Sequence, residues 1–214
     1  DEDSVLNVAD TFALPKTIAR VMSIRGITSK KYSREFFYPN LDQIHDPFLM
    51  QDMEKATDRL LKAIMDKQTV LIFGDFDVDG ITSAAFLTLF FRSLNVDINS
   101  YIPSREKEGY GLSKKGIDYA KYIGVDVLIT CDCGITDFEE VAYARKKGLD
   151  VIITDHHKPA ENLPEAYAVV NPHRNDCNYP FKGLCGAGVV FKLALAICKK
   201  GKINPEKAWS HSDV

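Results

Sequence analysis

The chain has 214 residues, 45% of them hydrophobic, which is enough to bury one substantial core with a small appended part and excludes a disordered protein. A net charge of −3 excludes a uniformly basic nucleic-acid binder but leaves a local one open, because carboxylates that face bound dications present a positive site. No apolar stretch approaches the roughly twenty residues of a membrane helix. The five cysteines (131, 133, 177, 185 and 198) contain no C-x-x-C pair, so the expectation is a soluble chain in a reducing cytoplasm, without a disulfide framework or structural zinc.

In chain order, Asp1-Glu2-Asp3-Ser4 has neither an initiator Met nor a signal peptide's basic and apolar regions, and reads as the start of a portion of a longer protein. Residues 1–50 form a helical preface, with short helices predicted over 14–25 and 30–37 on either side of Gly26. Pro39 and Asp46-Pro47 mark a loop. Asp52 is expected to cap a helix running to Asp66, in which Met53, Ala56, Leu60, Ala63 and Ile64 recur at helical spacing. From Thr69 onward strands near 69–74, 96–102, 125–131, 150–154 and 167–171 alternate with helices near 81–94, 113–122, 137–147 and 186–200. Residues 51–214 are therefore expected to form an α/β domain, doubly wound, with a mainly five-stranded parallel sheet and helices on both faces.

Metal-ligand side chains cluster behind these strands. Asp75, Asp77 and Asp79, then Gly80, follow the run Thr69 to Phe73; Asp132 ends the third strand; Asp155-His156-His157 follows Val151 to Thr154. In an open parallel sheet, functional groups gather outside the carboxyl ends of the strands, so distant clusters converge. An EF-hand reading of Asp75 to Gly80 fails: position twelve would be Phe86 instead of glutamate, and a strand instead of a helix precedes the loop. Any one of these aspartates alone is more often a cap or turn residue, and paired loop histidines are usually solvated. Together, hard carboxylates able to bridge two cations and neutral imidazoles are what a dinuclear hydrolase needs.

Two flanking features are less specific. Gly183-Leu184-Cys185-Gly186-Ala187-Gly188 precedes an apolar helix; its amides, at Gly186 and Gly188 above all, either face a phosphate or mark a helix start packed too closely for side chains. Cys131 and Cys133 flank Asp132 but read as small hydrophobes, since thiolates suit softer ions than a carboxylate-rich site selects.

The run Gly74 to Ser83 (GDFDVDGITS), Asp132 with Gly134-Ile135-Thr136, and Asp155-His156-His157 resemble the first three motifs of the DHH phosphoesterase superfamily. Arg25-Gly26-Ile27, His45-Asp46-Pro47-Phe48, Ile102-Pro103-Ser104-Arg105, Glu108 to Leu112 and Tyr179 to Val189 narrow the likeness to its RecJ-type branch. That resemblance covers nearly the whole chain and implies a 5′ to 3′ exonuclease on single-stranded DNA, dependent on Mn2+ or Mg2+ and acting in recombination and repair. It implies Asp77 on one ion, Asp79 on the other, Asp132 bridging both and His156 completing the coordination of the second ion. His157 would work at the scissile phosphate, with Asp75 and Asp155 as a further ligand or as supports. It places Arg105, Tyr110 and Asn171 toward the nucleic acid, for which a surface ion pair and a packed tyrosine are equal alternatives. Single-strand-binding protein and recombination helicases are the implied partners, with no membrane.

A fourth family motif, with another metal-binding aspartate, is not matched. Asp213 stands near the distance expected for it, but its neighbours differ. The DHH catalytic domain is therefore expected to be truncated before that motif and the C-terminal domain, and these residues alone to bind manganese weakly. Within the superfamily, a phosphodiesterase on short oligonucleotides or cyclic dinucleotides is the alternative. A non-catalytic nucleic-acid-binding scaffold is the alternative of another class.

Overall fold

The computed structural model describes residues 2–40, 43–96 and 98–211. Asp213 lies outside them. The chain divides into two compact units, Asp1–His45 and Asp46–Val214. The division falls before residue 50 because Pro47–Leu49, a short 3-10 turn capped by the Asp46 carboxylate on Phe48 N–H, packs with the second unit's helices.

The first unit holds α1 (Glu2–Phe12), α2 (Lys16–Ile24) and α3 (Lys30–Phe37). The first of these was not expected, although Val5, Val8, Ala9 and Phe12 have the spacing of one helical face. Val5, Val8, Ala9, Ala19 and Met22 bury together, with Leu14, Ile27 and Phe37 against them.

In the second unit α4 (Met53–Met65) leads into β1 (Val70–Gly74), α5 (Val78–Ser93) and β2 (Ile98–Tyr101). The short α6 (Arg105–Glu108), then α7 (Lys114–Tyr122), β3 (Val127–Cys131), α8 (Phe138–Lys146), β4 (Asp150–Thr154) and β5 (Ala168–Val170) follow, before α9 (Gly186–Gly201) and α10 (Glu206–Trp209). All five strands are parallel in the order β2-β1-β3-β4-β5. Alternation along each strand divides the core. Ile72, Ile129 and Ile152 pack with α4, α5 and α9, whereas Leu71, Leu128 and Ile153 pack with α7 and α8 on the other face. This is the expected doubly wound architecture.

Two local expectations are corrected. Asp52 does not cap α4 with its side chain; it sits at φ +59° and its Oδ2 accepts from Val169 N–H (3.1 Å) and Arg174 (2.8 Å), tying α4 to the end of the sheet. Helix α5 begins at Val78, three residues before position 81, because the Asp77 carboxylate accepts from Gly80 N–H (2.9 Å) and so caps the helix. The acidic motif is itself the first turn.

Candidate metal centre at the strand ends

Register builds the site. Gly74 pairs with Cys131, Cys131 with Thr154, and Thr154 with Val170, so the next residues, Asp75, Asp132, Asp155 and Asn171, form one row across four strands. Backbone bonds extend the ladder one step further: Asp75 N–H to Cys131 O, Asp132 N–H to Thr154 O and Asp155 N–H to Val170 O. Strands lie about 4.8 Å apart, so adjacent members of the row are held within reach of a shared cation. The row includes the boundary between β1 and β3, where connections leave the sheet in opposite directions and an open α/β sheet leaves a crevice.

Glycines let the chain close over this row. A Cβ at Gly80 would lie 2.6 Å from the Asp75 backbone, and one at Gly186 would lie 2.7 Å from Asp132 Cβ. Asp132 turns the chain off β3 at φ +62°, a left-handed conformation that aspartate tolerates better than most residues.

Asp75, Asp132 and Asp155 are each 1% exposed, yet their surroundings differ. The Asp155 carboxylate is fully engaged: Oδ1 accepts from His156 N–H (2.7 Å), His157 N–H (3.0 Å) and His157 Nδ1 (2.8 Å), and Oδ2 from Ile135 N–H (3.0 Å). Burial raises its pKa, but these bonds outweigh burial and hold the group below the usual carboxylate range. The bond from Asp155 in turn pushes His157 up to about 9. Asp75 Oδ1 and Asp132 Oδ1 are buried with no hydrogen-bond partner among the described residues. Burial raises Asp75; burial and then the charges of Asp79 and Asp77 push Asp132 up to about 8.

Asp132 Oδ1 lies 3.0 Å from His156 Nε2, an ion-pair distance without hydrogen-bond geometry, and 3.8 Å from His157 Nδ1, and His156 Nε2 lies 3.4 Å from Asp79 Oδ2. Two sets of side chains could each converge on one ion: Asp75, Asp77 and Asp132, and Asp132 with His156 and His157. They share Asp132. Two orphaned acceptors inside carboxylate clusters are what a cation would satisfy, so the donor set fits hard divalent ions. Asp79 belongs to neither set; its oxygens accept from Gly186 N–H (2.6 Å) and Ala187 N–H (2.8 Å).

The residues expected to meet substrate divide. Arg105 and Tyr110 are exposed beside the row. The Arg105 guanidinium lies over the Phe76 ring (5.3 Å) and makes no ion pair among the described residues; Tyr110 meets Phe76 and His157 edge-on, its hydroxyl 3.4 Å from His157 Nδ1. Asn171 is different. It is fully buried, its amide donating to His157 O (2.9 Å) and its carbonyl accepting from His173 N–H (2.7 Å), so it braces the histidine loop instead of facing substrate. Gly186 N–H is taken by Asp79, and Gly188 N–H by Cys185 Sγ (3.4 Å). Sequence reasoning missed Phe76, the platform joining Arg105 to Tyr110. Its signal was a large apolar residue inside an acidic loop.

The model of the DHH family, N-terminal domain, matches residues 69–211. The chain belongs to the DHH family. Among DHH relatives it is similar to the single-stranded-DNA-specific exonuclease RecJ of Bacillus subtilis, 38% identical over 92% of this chain and 25% of that protein. It thus spans about a quarter of that relative's length. A crystal structure of exonuclease RecJ bound to manganese superimposes with TM-score 0.67 at 30% identity, covering 77% of this chain and 43% of the other. RecJ from Thermus thermophilus in complex with Mn2+ shares the fold (TM-score 0.74, 24% identity) over 98% of this chain and 30% of its own, and the same protein is also solved with Mg2+.

Proposed function

We propose that this DHH chain provides metal-binding residues of a divalent-metal-dependent exonuclease that hydrolyses phosphodiesters of single-stranded DNA from the 5′ end. The observation that carries the reading is the pair of ligand sets sharing Asp132, with unpartnered Asp75 Oδ1 and Asp132 Oδ1 between them. Its likeness to RecJ proteins, one of them solved with manganese, supports the substrate and the ion.

Asp75, Asp77 and Asp132 would hold one ion, and Asp132, His156 and Asp79 the other. Two such cations, Mn2+ or Mg2+, supply electrostatic stabilisation to the attacking and leaving oxygens. The chain's own residues do the rest. Asp155 fixes the His157 ring through Nδ1, which leaves Nε2 to meet a phosphate oxygen or the departing one. Arg105, supported by Phe76, is placed to grip a neighbouring phosphate, and Tyr110 offers an exposed ring to a base. A cytoplasmic setting and contact with single-strand-binding protein or recombination helicases belong to the same reading.

The test offers the protein a long 5′-labelled single strand and a dinucleotide side by side with Mn2+, with Asp77→Ala as the control. Progressive shortening of the long strand, lost in the variant, is expected. Cleavage of the dinucleotide alone would favour a small phosphodiesterase, and strand binding with no shortening would favour a scaffold.

A further inference from the structure

The start of α9 is engaged before any substrate arrives. Asp79 Oδ2 accepts from Gly186 N–H at 2.6 Å and Oδ1 from Ala187 N–H at 2.8 Å, so the N-terminus of a sixteen-residue helix is turned on one internal carboxylate. The same glycine touches the neighbouring carboxylate. A side chain at Gly186 would bring its Cβ to 2.7 Å from Asp132 Cβ and 2.8 Å from the unpartnered Asp132 Oδ1. His156 Nε2 lies between the two acids, 3.4 Å from Asp79 and 3.0 Å from Asp132.

We infer that Gly186 and Ala187 are positioning residues for ion binding: their N–H groups set the angle of Asp79, and the missing side chain of Gly186 makes room for Asp132. The glycine-rich stretch is then no phosphate cradle, because an incoming phosphate would have to displace Asp79 from both amides and lie against like charge. Each carboxylate oxygen that accepts one amide still has a lone pair for a cation. Fixing the rotamer beforehand removes part of the ordering cost of binding. The inference rests on the proposed reading, since it takes Asp79 and Asp132 as groups that meet the ions.

Two variants test it. Gly186→Ala drives a methyl group into Asp132. Ala187→Pro removes the second amide that Asp79 accepts, in the first turn of α9, where no intrahelical bond is lost. The measurements are Mn2+ affinity and stoichiometry by titration calorimetry, and binding of a fluorescent oligothymidine in EDTA, with melting temperatures alongside. Loss of supporting contacts of this kind weakens metal binding by about tenfold to a hundredfold, and both variants are expected in that range with metal-free strand binding unchanged. If Gly186→Ala does not fold, Ala187→Pro decides alone. Wild-type Mn2+ affinity in the variants, or strand binding that falls in EDTA while Mn2+ affinity holds, would overturn the inference and restore the phosphate cradle. A wild-type chain that takes up no Mn2+ would overturn the proposed function as well.

Discussion

Asp132→Asn in the metal-free protein is expected to raise stability while abolishing the response to metal. The wild-type carboxyl is 1% exposed, its Oδ1 lacks a partner among the described residues, and burial with the charges of Asp79 and Asp77 pushes it up to about 8. At pH 8 about half of the folded chains keep a proton that the unfolded chain has released, and the two states' pKa values lie roughly four units apart, an imbalance of about 5 kcal/mol. Relaxation and water entry reduce this to about 2–3 kcal/mol, equivalent to about 5–10 °C in melting temperature for a chain of this length. Asparagine is the suitable replacement because the residue sits at φ +62°, which asparagine tolerates, and because it retains the shape without the charge. A raised carboxyl costs nothing below its unfolded value near pH 4 and costs progressively more up to its folded value. The variant's advantage should therefore be complete at pH 8 and less than half as large at pH 5. Thermal melts in EDTA at both pH values measure it, and repeating them with Mn2+ should stabilise the wild type alone. Equal melting temperatures at pH 8, or an advantage of the same size at pH 5, would refute the reasoning.

Asp155→Asn is expected to destabilise the protein by about 2–4 kcal/mol, because an NH2 group would face backbone donors, and to bring His157 down from about 9 toward its ordinary value. Thermal melts and an NMR titration of the imidazole protons check the two halves separately. Gly80→Ala should be far more damaging than Gly124→Ala: the first places a Cβ 2.6 Å from the Asp75 backbone, while the second has open space and carries only the left-handed penalty of about 1 kcal/mol. Urea unfolding of both variants gives the comparison. Phe76→Leu should weaken single-strand affinity by about threefold to tenfold through loss of the ring beneath Arg105, and Phe76→Tyr should restore it, as measured by fluorescence anisotropy.

Much of the catalytic unit was legible because its signals are local. Apolar runs such as Val127 to Cys131 and Val151 to Thr154 mark strands, and aspartates directly behind them mark the ends where an open sheet gathers function. Helix starts were less legible. The motif at Asp77 to Gly80 supplies ligand types and also caps α5, and a sequence pattern does not separate the two uses of one carboxylate. Asp52 had a capping residue's type and position but spends its carboxylate on β5 and Arg174, partners more than a hundred residues away.

The amino-acid sequence by itself determined the alternation of strands and helices, the parallel sheet it implies, and the acidic and imidazole groups at the strand ends, because each depends on neighbours a few residues away. Only the tertiary structure decided what those groups do for one another. It made Asp155 the brace of His157, left Asp75 and Asp132 with unpartnered oxygens, buried Asn171 behind the histidine loop, and brought α9 against Asp79 and Asp132. These assignments follow from the register of β1, β3, β4 and β5 and from how closely a glycine lets one helix approach, and register and approach join residues that are distant along the chain.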